Sequence, residues 1–150
     1  MYTATRLTLD DALPMLAAAR AKAEELGVAQ TICVVDEGGH ALALHRMPGG
    51  RLTGVEIALA KAFTAAGHQR PTHRFTEPPD GPALPGNEAF GINLMYPGKF
   101  AIFVGGFPIV HDGAVIGAVG VSGGNGEQDK AVGAAALEAF AASVAATRTA

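Results

Sequence analysis

The chain of 150 residues is long enough for one domain with a full core, and 49% hydrophobic against 17% charged residues is not the composition of a disordered chain. Its net charge of -3, from 11 basic and 14 acidic residues with no Lys/Arg cluster, argues against nucleic acid and anionic membrane as main partners. A single cysteine, Cys33, rules out an intramolecular disulfide and any zinc site that needs several thiolates.

Thr8-Leu9-Asp10-Asp11 reads as a helix start, with Thr8 as N-cap and acids in the first turn; Gly27 ends the pattern. Pro14 lies inside it, where a missing N–H predicts a kink or a later start. Thr31–Val35 is a β-branched run holding Cys33, which reads as a small buried core residue. Asp36-Glu37-Gly38-Gly39 has turn chemistry, with Asp36 as its turn former, and His40–Arg46 is the antiparallel partner strand. Thr53 and Glu56 have the spacing of a capping box before an apolar stripe that closes at Gly67.

Residues 68–99 carry six prolines, Pro71, Pro78, Pro79, Pro82, Pro85 and Pro97, which forbid a long regular element; Asn87–Met95 is expected to hold a short helix. Phe100–Val104, Pro108–His111 and Ala114–Val121 read as three further strands, the last two joined by an Asp112-Gly113 hairpin turn. A Gly-rich loop, Ser122–Gly126, leads into a long helix from Glu127 to about Ala146, with Asn125 and Gln128 at capping-box spacing. The expected fold is a single α+β domain over residues 1–150, a five-stranded antiparallel sheet with flanking helices. No basic head and long apolar segment open the chain, and Ala114–Val121 falls far short of the roughly 20 residues that span a bilayer, so a cytoplasmic protein without a membrane partner is expected.

Five segments in order resemble one family. They are Val34-Val35-Asp36-Glu37-Gly38-Gly39-His40, Arg46-Met47, Ala60-Lys61-Ala62-Phe63-Thr64-Ala65, Gly105-Gly106-Phe107-Pro108-Ile109, and the stretch GAVGVSGGNGEQD from Gly117 to Asp129. Together they resemble the GlcG/HbpS-type family, also known as haem-degrading or PduO C-terminal-like domains. The resemblance implies a profilin-like layered fold and a homo-oligomer, from dimer to octamer. It also implies a small-molecule pocket near a subunit interface and haem as a possible cofactor. The stretch Thr72–Asn87 is longer and richer in proline than that pattern.

Two sets of residues have the chemistry for a ligand. Lys61, Glu127 and Asp129 form the catalytic candidates: an ammonium among small neighbours, and two carboxylates at a helix start, able to bind a carboxylate or move a proton. The same acids also suit plain capping, and a solvated surface lysine is equally compatible with the residues. Arg46, Asn87, Phe90, Gly105 and Gly106 are the substrate-binding candidates, by guanidinium fork, amphipathic loop and close backbone approach. For haem, one accessible imidazole suffices, and His68 and His73 beside the proline-rich loop are the favoured ligands. His40 and His45 are five apart on a strand and so point to opposite faces, and no histidine pair has helical metal-site spacing; no metal site is expected. Three readings follow: a haem-binding protein; a cofactor-free hydrolase, tautomerase or dehydratase acting on a small unsaturated acid; and a non-catalytic scaffold subunit.

Overall fold

The computed structural model describes Met1 and residues 3–149. The chain runs α1 (Leu9–Glu25), β1 (Thr31–Asp36), β2 (Ala41–Arg46), α2 (Gly54–His68), two short 3-10 turns (Thr72–Phe75 and Ile92–Met95), β3 (Gly106–His111), β4 (Ala114–Ser122) and α3 (Gly126–Thr149). The sheet has four antiparallel strands in the order β2-β1-β4-β3, so β1 and β4 are central and β2 and β3 are edges.

The fifth strand, expected at Phe100–Val104, does not form. Its backbone is held by side-chain hydroxyls instead: Thr64 Oγ1 accepts from the Ala101 N–H at 2.9 Å, and Thr76 and Thr72 donate to the carbonyls of Ile102 and Phe103 at 2.8 and 2.6 Å. With those groups satisfied, the segment has no need of a ladder partner. The short helix expected over Asn87–Met95 contracts to the 3-10 turn Ile92–Met95.

Local signals at the helix ends mostly hold. Thr8 caps α1 in a full capping box with Asp11, and the helix runs from Leu9 through Pro14 without a later start. At α3, Asn125 Oδ1 accepts from the Gln128 N–H and Gln128 Oε1 from the Asn125 N–H, both at 2.9 Å. The Thr53–Glu56 box is the exception: Thr53 already has helical dihedrals and its side chain makes no cap bond. Asp36 Oδ1 accepts from the amides of Gly38 and His40 at 2.9 Å each, which is the work of a turn former. Asp112 and Gly113 both have positive φ, the requirement of a two-residue hairpin turn.

The sheet is covered on both faces. On one, α1 and α3 pack together over Ile32, Val34, Val119 and Val121, with Met15, Leu16, Val132 and Phe140 from the helices. On the other, α2 lies on Cys33, Val35 and Ala118 through Ala58, Ala62, Ala65 and Ala66. Small residues bring this helix very close: a Cβ on Gly120 would strike the Ala58 carbonyl. Burial pushes the Cys33 thiol pKa up to about 12, as fits a core residue. The helical stretch Gly126–Thr147 is long and apolar enough to cross a membrane, and its Val132, Ala136 and Phe140 are core residues here.

Candidate functional site

Close seating of α2 drives Lys61 into the interior, where only 2% of its side chain is exposed. A buried ammonium needs partners for its protons. Nζ donates to Asp129 Oδ2 and to the Val121 carbonyl, each at 2.8 Å, and lies 4.8 Å from the centroid of the Phe103 ring. Asp129, itself buried in the first turn of α3, completes the cluster. Its Oδ1 accepts from Gln30 Nε2 at 2.9 Å and from the Gly124 N–H at 3.1 Å. Burial lowers the Lys61 pKa from the ordinary lysine value, and the hydrogen bond and charge of Asp129 oppose that shift. The cluster ties α2, β4, α3 and the start of β1 together.

Lys61 and Asp129, both catalytic candidates by sequence, are therefore direct partners, and Glu127 is separate. Its side chain is 87% exposed and pairs with Lys130 at 3.3 Å. Gly105 and Gly106 are buried against α2: a Cβ on Gly105 would meet Lys61 Nζ, and one on Gly106 would strike the Lys61 carbonyl. Their lack of side chains admits the helix and its lysine. Asn87 is exposed, with Nδ2 donating to the Gly81 carbonyl at 2.8 Å, and Phe90 is exposed in the same loop. His68 stacks edge-on with Phe75 and Phe100 at the end of α2, and His73 sits beside Phe107 with its Nδ1 buried and unpartnered. Burial lowers the pKa of both imidazoles, with Arg70 adding to the effect at His68.

Gln30 joins the cluster without any sign of it in the sequence. It is fully buried, and a glutamine before a strand carries no signal of that role. Thr64, Thr72 and Thr76 are equally silent, because a threonine's choice of backbone partner is made by the fold.

Two open regions flank this frame. At the free edge of β2, Arg20, Leu44, His45, Arg46, Met47 and Pro48 line a cavity of about 400 Å³. His45 Nδ1 is buried without a partner, which leaves Nε2 as the outward ring nitrogen. The Met47 sulfur accepts from the Gln30 N–H at 3.4 Å. Along the outer face of α2, Thr53, Glu56, Ile57, Ala60, Phe100 and Phe103 line a mostly apolar cavity of about 390 Å³. It continues past Ala60 and Gly98 toward Phe63 and His40 in a second hollow of about 320 Å³. Among the described residues no group of three or more His, Cys, Asp or Glu side chains is placed to hold a metal ion.

The chain is similar in sequence and fold to several known proteins, one of them solved as a haem complex. The chain is 40% identical over 134 residues to an uncharacterized 15.0 kDa protein from the dhaT-dhaS intergenic region of Citrobacter freundii, covering 89% of this chain and 92% of that one. The crystal structure of Klebsiella pneumoniae protein ORFY superposes with a TM-score of 0.85 at 36% identity, over 95% of this chain and 97% of that one. A crystal structure of a PduOC:heme complex superposes with a TM-score of 0.84 at 32% identity, over 90% of this chain and 95% of that one. The family model described as haem degrading protein HbpS-like matches residues 7–138, and the chain belongs to that family.

Proposed function

We propose that the protein binds haem, and that the cavity at the free edge of β2 holds it. The observation that carries this reading is the meeting of one imidazole and two guanidiniums in a single concavity. His45 presents Nε2 outward, while Arg20 and Arg46 supply the planar forks that suit two propionates. Leu44 and Pro48 add apolar wall. Arg20 also pairs with Glu24 at 2.8 Å, on an exposed helix surface where such a pair is weak and easily exchanged. The solved haem complex of a relative supports the ligand class. When bound, haem supplies an iron centre; the chain's own part is to offer the imidazole, neutralise the propionates and shield one face. Because β2 is an edge strand, a second copy covering it would close the cavity, which agrees with an expected homo-oligomer.

A haemin titration of purified protein, followed by absorbance, tests this. A saturable stoichiometric Soret shift, altered in His45→Ala and weakened in Arg20→Ala, is the expected result. A shift that survives His45→Ala but vanishes in the His68→Ala/His73→Ala double variant moves the ligand to the proline-rich loop. Unsaturable binding in all variants means that haem only partitions onto apolar surface, and the proposal fails.

A further inference from the structure

We propose that the apolar cavity on the outer face of α2 is a second ligand site, for a neutral planar carbonyl compound whose oxygen reaches the Lys61 ammonium when the Phe103 ring turns aside. An ammonium carries three N–H donors. On Lys61 two are taken, by Asp129 Oδ2 and the Val121 carbonyl, and no third hydrogen-bond acceptor stands among the described residues. The Phe103 ring covers Nζ instead, with its centroid at 4.8 Å. A neutral ring at an exposed site holds a cation more weakly than an oxygen in a charge-assisted hydrogen bond does.

The surroundings of Nζ leave one way in. Val121, Asp129 and Gly105 are buried, and a Cβ on Gly105 would meet Nζ itself. Phe103 is 50% exposed, and of these four residues it alone lines the 390 Å³ cavity. The two phenylalanines of that cavity are held differently. Phe100 is fixed by edge-on contacts with His68 and Phe75, whereas Phe103 has no ring partner among the described residues. The Phe103 carbonyl is anchored by the Thr72 hydroxyl at 2.6 Å, so its backbone stays while the exposed ring is free to change rotamer. Turning it joins the cavity to the enclosed ammonium.

The ligand class follows from charge and shape. Asp129 already neutralises Lys61, and Glu56 stands exposed on the cavity rim, so an anion gains no net attraction there. A neutral carbonyl oxygen supplies the missing acceptor without that penalty. Ile57, Ala60 and the fixed Phe100 ring form the walls for a flat apolar body. Neither Lys61, Phe103 nor Ala60 lines the cavity proposed for haem, so either reading can fail without the other.

The test uses benzamide as the neutral probe and benzoate as its charged counterpart. In the unaltered protein, benzamide should saturate NMR shifts of the Phe103 ring and the Lys61 ε-methylene together, with an affinity near ~1 mM. Ala60→Leu should abolish both by filling the slot. In Phe103→Ala, acetylation of Lys61 by acetic anhydride, read by peptide mass, should rise by roughly tenfold or more, and benzamide should suppress it. Cys33, buried beneath the same helix, should stay unreactive in that variant, which separates an opened gate from unfolding. Shifts at Phe103 without Lys61 in the unaltered protein, an unreactive Lys61 in a folded Phe103→Ala variant, or tighter binding of benzoate than of benzamide would overturn the proposal.

Discussion

Replacing Lys61 by methionine removes a charge that the fold has already enclosed. The side chains of Lys61 and Asp129 are 2% and 4% exposed, and their ion pair measures 2.8 Å. Taking one partner from a buried pair strands the other, at a typical cost of about 3–5 kcal/mol. Here Asp129 keeps two donors, Gln30 Nε2 and the Gly124 N–H, so the lower figure of about 3 kcal/mol is expected. The Val121 carbonyl also loses its lysine donor, which works in the same direction. For a domain of this size the loss corresponds to a fall in Tm of roughly 6–12 °C. Urea denaturation with an unchanged m-value is the appropriate assay. The double variant Lys61→Met/Asp129→Asn removes the stranded charge and should recover more than about 1 kcal/mol of the loss. If Lys61→Met alone changes stability by less than about 0.5 kcal/mol, the ammonium is not enclosed as described, and the reasoning is refuted. The same experiment guards any activity assay, since lost turnover in a Lys61 variant has meaning only beside its stability.

Other expectations follow from the same geometry. Cys33, buried with its pKa pushed up to about 12, should resist a thiol-specific disulfide reagent in the native protein and react fully in denaturant; rapid native reaction would contradict its place in the core. His68 and His73 have folded pKa values below the ordinary 6.5, so the unfolded chain binds more protons there and stability should fall as pH drops below 6.5 toward the lowered folded values. In a His68→Gln/His73→Gln variant this part of the acid slope should disappear from the denaturation midpoints; an unchanged slope would remove the assignment. Asn125→Ala deletes the side-chain half of the α3 cap and should cost about 1 kcal/mol in the same denaturation assay, whereas no loss would mean the first turn is held by the Asp129 cluster alone.

Much of the architecture is legible in the sequence, because its signals are local. The Thr8 cap, the Asn125–Gln128 box and the Asp112-Gly113 turn each involve residues within four positions of one another, and the hydrogen bonds and dihedrals that define them do not depend on the rest of the chain. The apolar runs of β1 and β4 and the small-residue stripe of α2 likewise signal burial. Phe100–Val104 shows where such reading stops: an apolar aromatic run suits a strand, but threonine hydroxyls from α2, the first 3-10 turn and the residue after it satisfy its backbone instead. The candidate site divides in the same way. Lys61 and Asp129 stand out as chemistry-bearing side chains, while their partnership spans 68 residues and the Gln30–Asp129 bond spans 99. The grouping of Arg20 with His45 has no sequence signature at all. Contacts of that range exist only after helices dock on the sheet, so tertiary packing decides which polar groups are enclosed, which are paired, and which are left facing a cavity.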